Sequence, residues 1–194
     1  QTAGNLNVVF LSWVGNPMAV TSLTDSAGNT YVQIGTPTVS SGTAVSVAYY
    51  AKNIAAAGSV AVTAVLSSAT NYPELRVAEY SGLDTANPLS GFVGAVGTGA
   101  TFSTGPLTTT TSNEVLVASA YTYWDVTSVG GGFTPRFSTF GIALQDLILS
   151  TTGTHTSTGT NNHTQWWIAS MLAFKAAATD TTARFVSNAL SKAW

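Results

Sequence analysis

VTSLTDSAGNTYVQIG, residues 20–35, decides the fold class. Two short runs rich in β-branched residues, Val20 to Thr24 and Tyr31 to Gly35, flank Asp25-Ser26-Ala27-Gly28-Asn29. Asp favours turn entry, and Gly or Asn accepts a positive φ, so this stretch reads as two strands joined by a hairpin turn. The same grammar extends outward in both directions. Asn5 to Val14, Ala44 to Lys52, Ser59 to Leu66, Glu74 to Tyr80, Gly91 to Val96 and Ala100 to Thr104 read as strands, followed by Glu114 to Tyr123, Phe133 to Phe140, Ile142 to Leu149, His155 to Gly159 and Gln165 to Lys175. Gly, Pro and Asn clusters such as Gly15-Asn16-Pro17 and Gly130-Gly131-Gly132 punctuate them. Short, evenly spaced strands with no long helical period predict an all-β, two-sheet antiparallel sandwich, jelly-roll-like, over residues 1–176. Two stretches leave room for a helix, Asn53 to Gly58 and the tail 177–194. In that tail Val186, Leu190 and Trp194 share a face whether it is a helix or a strand.

Composition narrows the function. Of 194 residues only 7% are charged, with six Lys and Arg against eight Asp and Glu for a net charge of −2. An ordinary soluble domain carries roughly 25%. No basic stripe is available to neutralise phosphates, which excludes nucleic acid as a partner. There is no Cys, hence no disulfide framework and no thiolate chemistry. The longest apolar run, about Trp166 to Phe174, is too short for a membrane-spanning helix, which needs roughly 20 residues. A hydroxyl-rich, weakly charged surface suits an extracellular or cell-surface chain that packs closely with neighbours.

The chain offers little to build catalysis from. Glu74 and Glu79 are separated by an odd number of positions, so on one strand they face opposite ways and cannot flank one glycosidic bond. Glu79 shares parity with Leu75 and Val77, which aims it inward and asks for a cationic partner such as Arg136 or Lys52; the expectation is a structural ion pair of Glu79 with Arg136. His155 and His163 lack a third ligand for zinc, and Asp25 with Asn29 is thin for calcium. Tyr80-Ser81-Gly82 lacks the first Gly of a nucleophile elbow. No cofactor or metal is implied, and a catalytic cleft around Asp125, Asp146 or Glu79 ranks last among the readings.

Aromatic residues are more prominent than acids. Tyr121, Tyr123 and Trp124 cluster near a strand end, and in the adjacent pair Trp166 and Trp167 one ring must face outward on a strand. An outward ring suits a sugar-stacking platform or a subunit anchor. Asn162-His163-Thr164 fits a glycosylation sequon at Asn162.

Five stretches together resemble a known set: QTAGNLNVV (1–9), TDSAGNTY (24–31), YYAKNIAA (49–56), YPELRVAEYSGLDTANPL (72–89) and GFTPR (132–136). They resemble uncharacterised β-sandwich modules of large secreted bacterial surface proteins, often found beside Ig-like or fibronectin-like repeats. The resemblance covers about residues 1–176 and implies an exported module without catalytic residues. Such modules usually carry a further strand before the QTAGN segment. A sandwich lacking that strand would expose a groove, with Leu6 and Val8 at its wall, for the tail residues Phe185, Val186, Leu190 and Trp194 to fill in the same or a neighbouring subunit. The expectation is therefore a structural subunit of a surface filament or matrix fibre, a homopolymer assembled through its terminal segments. The alternative is a carbohydrate-binding or adhesive module using Trp166, Trp167, Tyr121 and Tyr123.

Overall fold

The computed structural model describes residues 1–40, 42–178 and 183–192; the side chains of Phe185 and of 187–192 lie outside that description, as do 193–194 entirely. No helix is present among the described residues. In chain order the strands are β1 (Leu6–Val14), β2 (Val20–Asp25), β3 (Val32–Ser40), β4 (Ala44–Ala51), β5 (Val62–Leu66), β6 (Asn71–Ser81) and β7 (Leu89–Ser103). They continue as β8 (Leu107–Thr108), β9 (Glu114–Thr122), β10 (Val126–Gly130), β11 (Thr134–Thr139), β12 (Ile142–Ile148), β13 (Thr154–His155), β14 (Thr158–Lys175) and β15 (Arg184–Lys192).

The chain folds as a β-sandwich with a ribbon laid on each outer face. The first sheet has the order β15-β6-β1-β4-β3, the second β10-β14-β9-β12-β11 with β7 on the other edge of β14, and all pairings are antiparallel. Leu6, Val8 and Phe10 of β1 meet Val115, Val117, Leu172 and Phe174 between the sheets. Val9, Leu11 and Trp13 face the other way, under Val20, Leu23, Val62 and Leu66 of the β2–β5 ribbon. That double cover explains why β1 reads as a nearly continuous apolar run and not as an alternation. On the far side, Leu107 of β8 and Phe133 pack on Leu116, Ala118 and Met171, the outer face of the second sheet.

Several expectations change in detail. The Asp25 turn exists, with Ala27 and Asn29 amides donating to Asp25 Oδ1 at 3.0 Å each and Gly28 at φ +75°, but it is not a hairpin. β2 pairs with β5 and β3 with β4, so the turn is a corner between layers. Asn53 to Gly58 forms no helix; Asn53 takes φ +50° and Ile54 plugs the core at 1% exposure. The expected strands Gly91–Val96 and Ala100–Thr104 are one strand, β7. The intervening Gly97 is a packing glycine: a Cβ there would lie 2.4 Å from the Trp167 ring. The tail is a strand, added antiparallel to the edge of β6 from Arg184↔Ser81 to Lys192↔Glu74.

Candidate functional site: an aromatic cleft and a terminal strand

Even-numbered residues of β6 face the second sheet, so Glu74, Arg76, Ala78 and Tyr80 all point into the sandwich. Two polar networks result. In the first, Asp146 of β12, 1% exposed, accepts from the Tyr80 hydroxyl at 3.0 Å and from Arg136 Nε at 2.9 Å. Burial, and then the Asp146 charge, push the Tyr80 phenol well above its ordinary value, and the hydrogen bond to Asp146 raises the Arg136 guanidinium. In the second, Arg76, 1% exposed, spans the sandwich: Nη1 donates to Ser119 Oγ at 2.8 Å and to the Ala120 carbonyl at 3.2 Å, while Nη2 donates to Ser12 Oγ at 2.5 Å. Burial pushes Arg76 down to about 10, against the opposing field of Glu74.

Beyond Glu74 this second network opens into a cavity of about 480 Å³ at one end of the sandwich. Glu74, 6% exposed, sits at its base with Tyr121 and Trp166, whose rings lie 5.5 Å apart. Burial raises the Tyr121 phenol, and its hydroxyl donates to the Tyr72 carbonyl at 2.8 Å. The mouth is built from Tyr72, Tyr123, Trp124 and Phe140, respectively 74%, 60%, 42% and 67% exposed, with the exposed carboxylate of Asp125 beside them. Tyr123 packs against both Trp124 and Trp166 at 5.5 and 6.3 Å, and the His163 ring lies 4.7 Å from Trp124.

Two mouth residues hold unusual backbone. Tyr72 has φ +49° and Phe140 φ +48°. Phe140-Gly141 forms the two-residue loop between Thr139 and Ile142, with Gly141 at φ +76°. Such a loop requires a positive φ at both positions and favours Asn-Gly, because a bulky L-residue strains there. Gly141 is further required because a Cβ would lie 2.3 Å from the Thr122 carbonyl, which ties the loop to the end of β9.

The predicted residues divide clearly. Tyr121, Tyr123 and Trp166 converge on this cleft. Trp167 does not: it faces the opposite side, with its ring close over Gly97 and against the Phe102, Val126 and Ala169 cluster. The expected Glu79–Arg136 pair is corrected. Odd-numbered β6 residues face the β2–β5 side, so Glu79 meets the Gln1 ammonium at 3.7 Å and the Asn5 side-chain amide at 2.6 Å, whereas Arg136 holds Asp146. Leu6 and Val8 are also corrected as groove residues. They are 2% and 0% exposed in the inter-sheet core, because β1 lies between β4 and β6 and the tail joins β6. In the tail, Val186 is 43% exposed, the backbones of Phe185 and Leu190 pair with Tyr80 and Arg76, and Trp194 lies outside the described residues. Asn162 is exposed where the β14 pairing slips between Thr160 and Gln165. No group of three or more His, Asp or Glu able to hold a metal occurs among the described residues.

Sequence reasoning passed over Glu74, Tyr72 and Phe140 as members of one site. For Phe140 a signal existed: Phe-Gly stands in a tight turn between two apolar runs, where Asn-Gly is the low-energy choice. No family model, curated protein or solved structure matches the chain.

Proposed function

We propose that this chain is a non-catalytic structural subunit of the extracellular space that joins copies of itself through its terminal strand. The observation that carries this reading is the place of β15. It is the last described element, and it covers the backbone edge of β6 from Ser81 to Glu74. Main-chain pairing tolerates the source of a strand, so β15 of one copy fits the β6 edge of another with the same register. Ala183, 1% exposed, plugs the inter-sheet core at the point where the tail enters, giving the strand a side-chain anchor as well. The low charge agrees with this role, since a net −2 over 194 residues provides little repulsion between copies.

The absence of cysteine makes a direct test available. Val77 and Ala189 are paired across β6 and β15. A Val77→Cys, Ala189→Cys chain, oxidised after assembly, is expected to give a ladder of covalent oligomers on a non-reducing gel. Negative-stain images of the parent should show fibres. A truncation before residue 179 should keep a β circular-dichroism spectrum, remain unassembled and bind a synthetic 183–192 peptide. Crosslinked monomer alone, at every concentration, would refute exchange of the strand between copies.

A further inference from the structure

We infer that the margin formed by β7 and β3 is a second interface between copies of this chain, in which β7 pairs antiparallel with β7 of another copy about a twofold axis. The two strands close one side of the sandwich. Thr38 of β3 covers Gly94 of β7, where a Cβ would lie 2.1 Å from Thr38 Oγ1, and the Phe92 ring of β7 covers Gly35 of β3. On the opposite side β6, which carries β15, faces β12 through the Tyr80 hydroxyl and Asp146 at 3.0 Å. The terminal strand therefore borders the other side of the molecule, and the β7 margin does not depend on strand exchange.

β7 presents an open and regular edge. One side pairs with β14, and among the described residues no strand pairs with the other. From Gly91 to Gly99 it runs without a slip against Ala173 to Gln165. Ile168 to Phe174 of β14 are buried throughout, whereas no residue from Leu89 to Thr101 of β7 is buried. Such a row of outward N–H and C=O groups is a template for another strand. The other edges are blunted. β3 carries Pro37 inside a slip between Ile34 and Thr38, and β11 carries Pro135 and Arg136 at a slip of its own. β10 and β15 slip against their partners too, and β15 includes Arg184 and Lys192 in its sequence. β7 contains neither Pro nor charge.

Charge names the occupant. Residues 26–51 and 85–113, which include β3 and β7, contain no Lys, Arg, Asp or Glu, so every formal side-chain charge of the chain lies elsewhere. Val32 and Val39 of β3 and Val96 of β7 are exposed on these strands. A partner bringing charges to this margin would lose their hydration and meet no counter-charge. A second copy brings an edge as uncharged as the first. Twofold antiparallel pairing also sets each outward N–H of β7 opposite a carbonyl of the same strand reversed, without any demand on side-chain sequence. Pro37 has no N–H to give, so the ladder falls to β7 while β3 flanks it. The close fits of Thr38 on Gly94 and Phe92 on Gly35 hold the two strands together before a partner arrives.

The test uses the full, cysteine-free chain with one cysteine added. Ala95 is the midpoint of the regular run, so Ala95→Cys treated with a short bismaleimide, whose reach tolerates a small slip of register, is expected to give a covalent dimer. Its yield should exceed by about tenfold that of Val65→Cys, exposed on β5. Adding Val96→Lys or Thr98→Lys, both at exposed positions, should cut the dimer about tenfold through like charges facing across the twofold, with circular dichroism and melting temperature unchanged. The yield should hold from about 50 mM to about 1 M NaCl, because an uncharged contact has nothing to screen. The inference is overturned if Ala95→Cys crosslinks no better than Val65→Cys, if both lysine substitutions leave the dimer intact, or if high salt abolishes it. A single cysteine stops at a dimer, whereas the Val77→Cys, Ala189→Cys chain forms a ladder, so each interface can fail without the other.

Discussion

Two buried polar networks tie the same pair of sheets together, and they are finished differently. Tyr80, Asp146 and Arg136 form a set that closes on a buried carboxylate, which accepts from both partners. Arg76, with Ser12, Ser119 and the Ala120 carbonyl, forms a set that continues through Glu74 into a cleft ringed by aromatic side chains. The first network pins one sheet over the other. The second does that and also borders an open cleft at one end of the sandwich.

Four measurements break or sharpen that contrast. Arg76→Met should cost the most, about 3–5 kcal/mol in chemical denaturation, because it leaves a buried carboxylate without its nearby cation and two hydroxyls without their donor. A loss under about 1 kcal/mol would mean the open network carries no load between sheets. Tyr80→Phe, in the closed network, should cost about 1.5–3 kcal/mol, the worth of one hydrogen bond to a charged acceptor, with Arg136 still in place. Phe140→Asn should move stability the other way, by about 0.5–1 kcal/mol in favour of folding, as strain leaves the turn.

Asp25, in neither network, calibrates the acid response and gives the smallest effect. Partial burial pushes its carboxyl up, but hydrogen bonds from Asn29, Tyr31 and Ala27 outweigh this and hold it below 3.8. The folded chain therefore binds the proton more weakly than the unfolded one. Its contribution is complete above pH 3.8 and is lost as pH falls through the lower folded value. Comparing urea midpoints near pH 3 and near pH 6, Asp25→Asn should show a shallower acid loss than the parent.

Much of the fold is legible in residue order. The runs at 5–14, 44–52 and 114–123 match the central strands β1, β4 and β9, while the run at 165–175 is only the second part of β14, which begins at Thr158 and passes through the Gly-Thr-Asn-Asn stretch expected to separate two strands. Strand-forming composition and turn chemistry are local properties, so a local reading finds them. Pairing partners are not local. The Asp25 turn looks like a hairpin because its chemistry is that of a turn, and nothing in residues 20–35 reports that the distant β5 is what β2 pairs with. The face assignment of Glu79 failed for a related reason. Both faces of β6 are covered, one by the second sheet and one by the β2–β5 side, so parity with Leu75 and Val77 identified a buried face but not which one.

The sequence by itself determined the class of protein: all-β, poor in charge, without thiol chemistry, and carrying more aromatic residues than acidic ones. Tertiary structure alone decided which of those aromatics meet. Trp166 and Trp167 are neighbours in the chain and lie on opposite faces of β14, while Tyr72, Tyr121, Phe140 and Trp166 come from four strands and turns and share one cleft. The reason is the alternation of side chains along an extended strand, which separates adjacent residues, together with the stacking of two sheets, which unites distant ones.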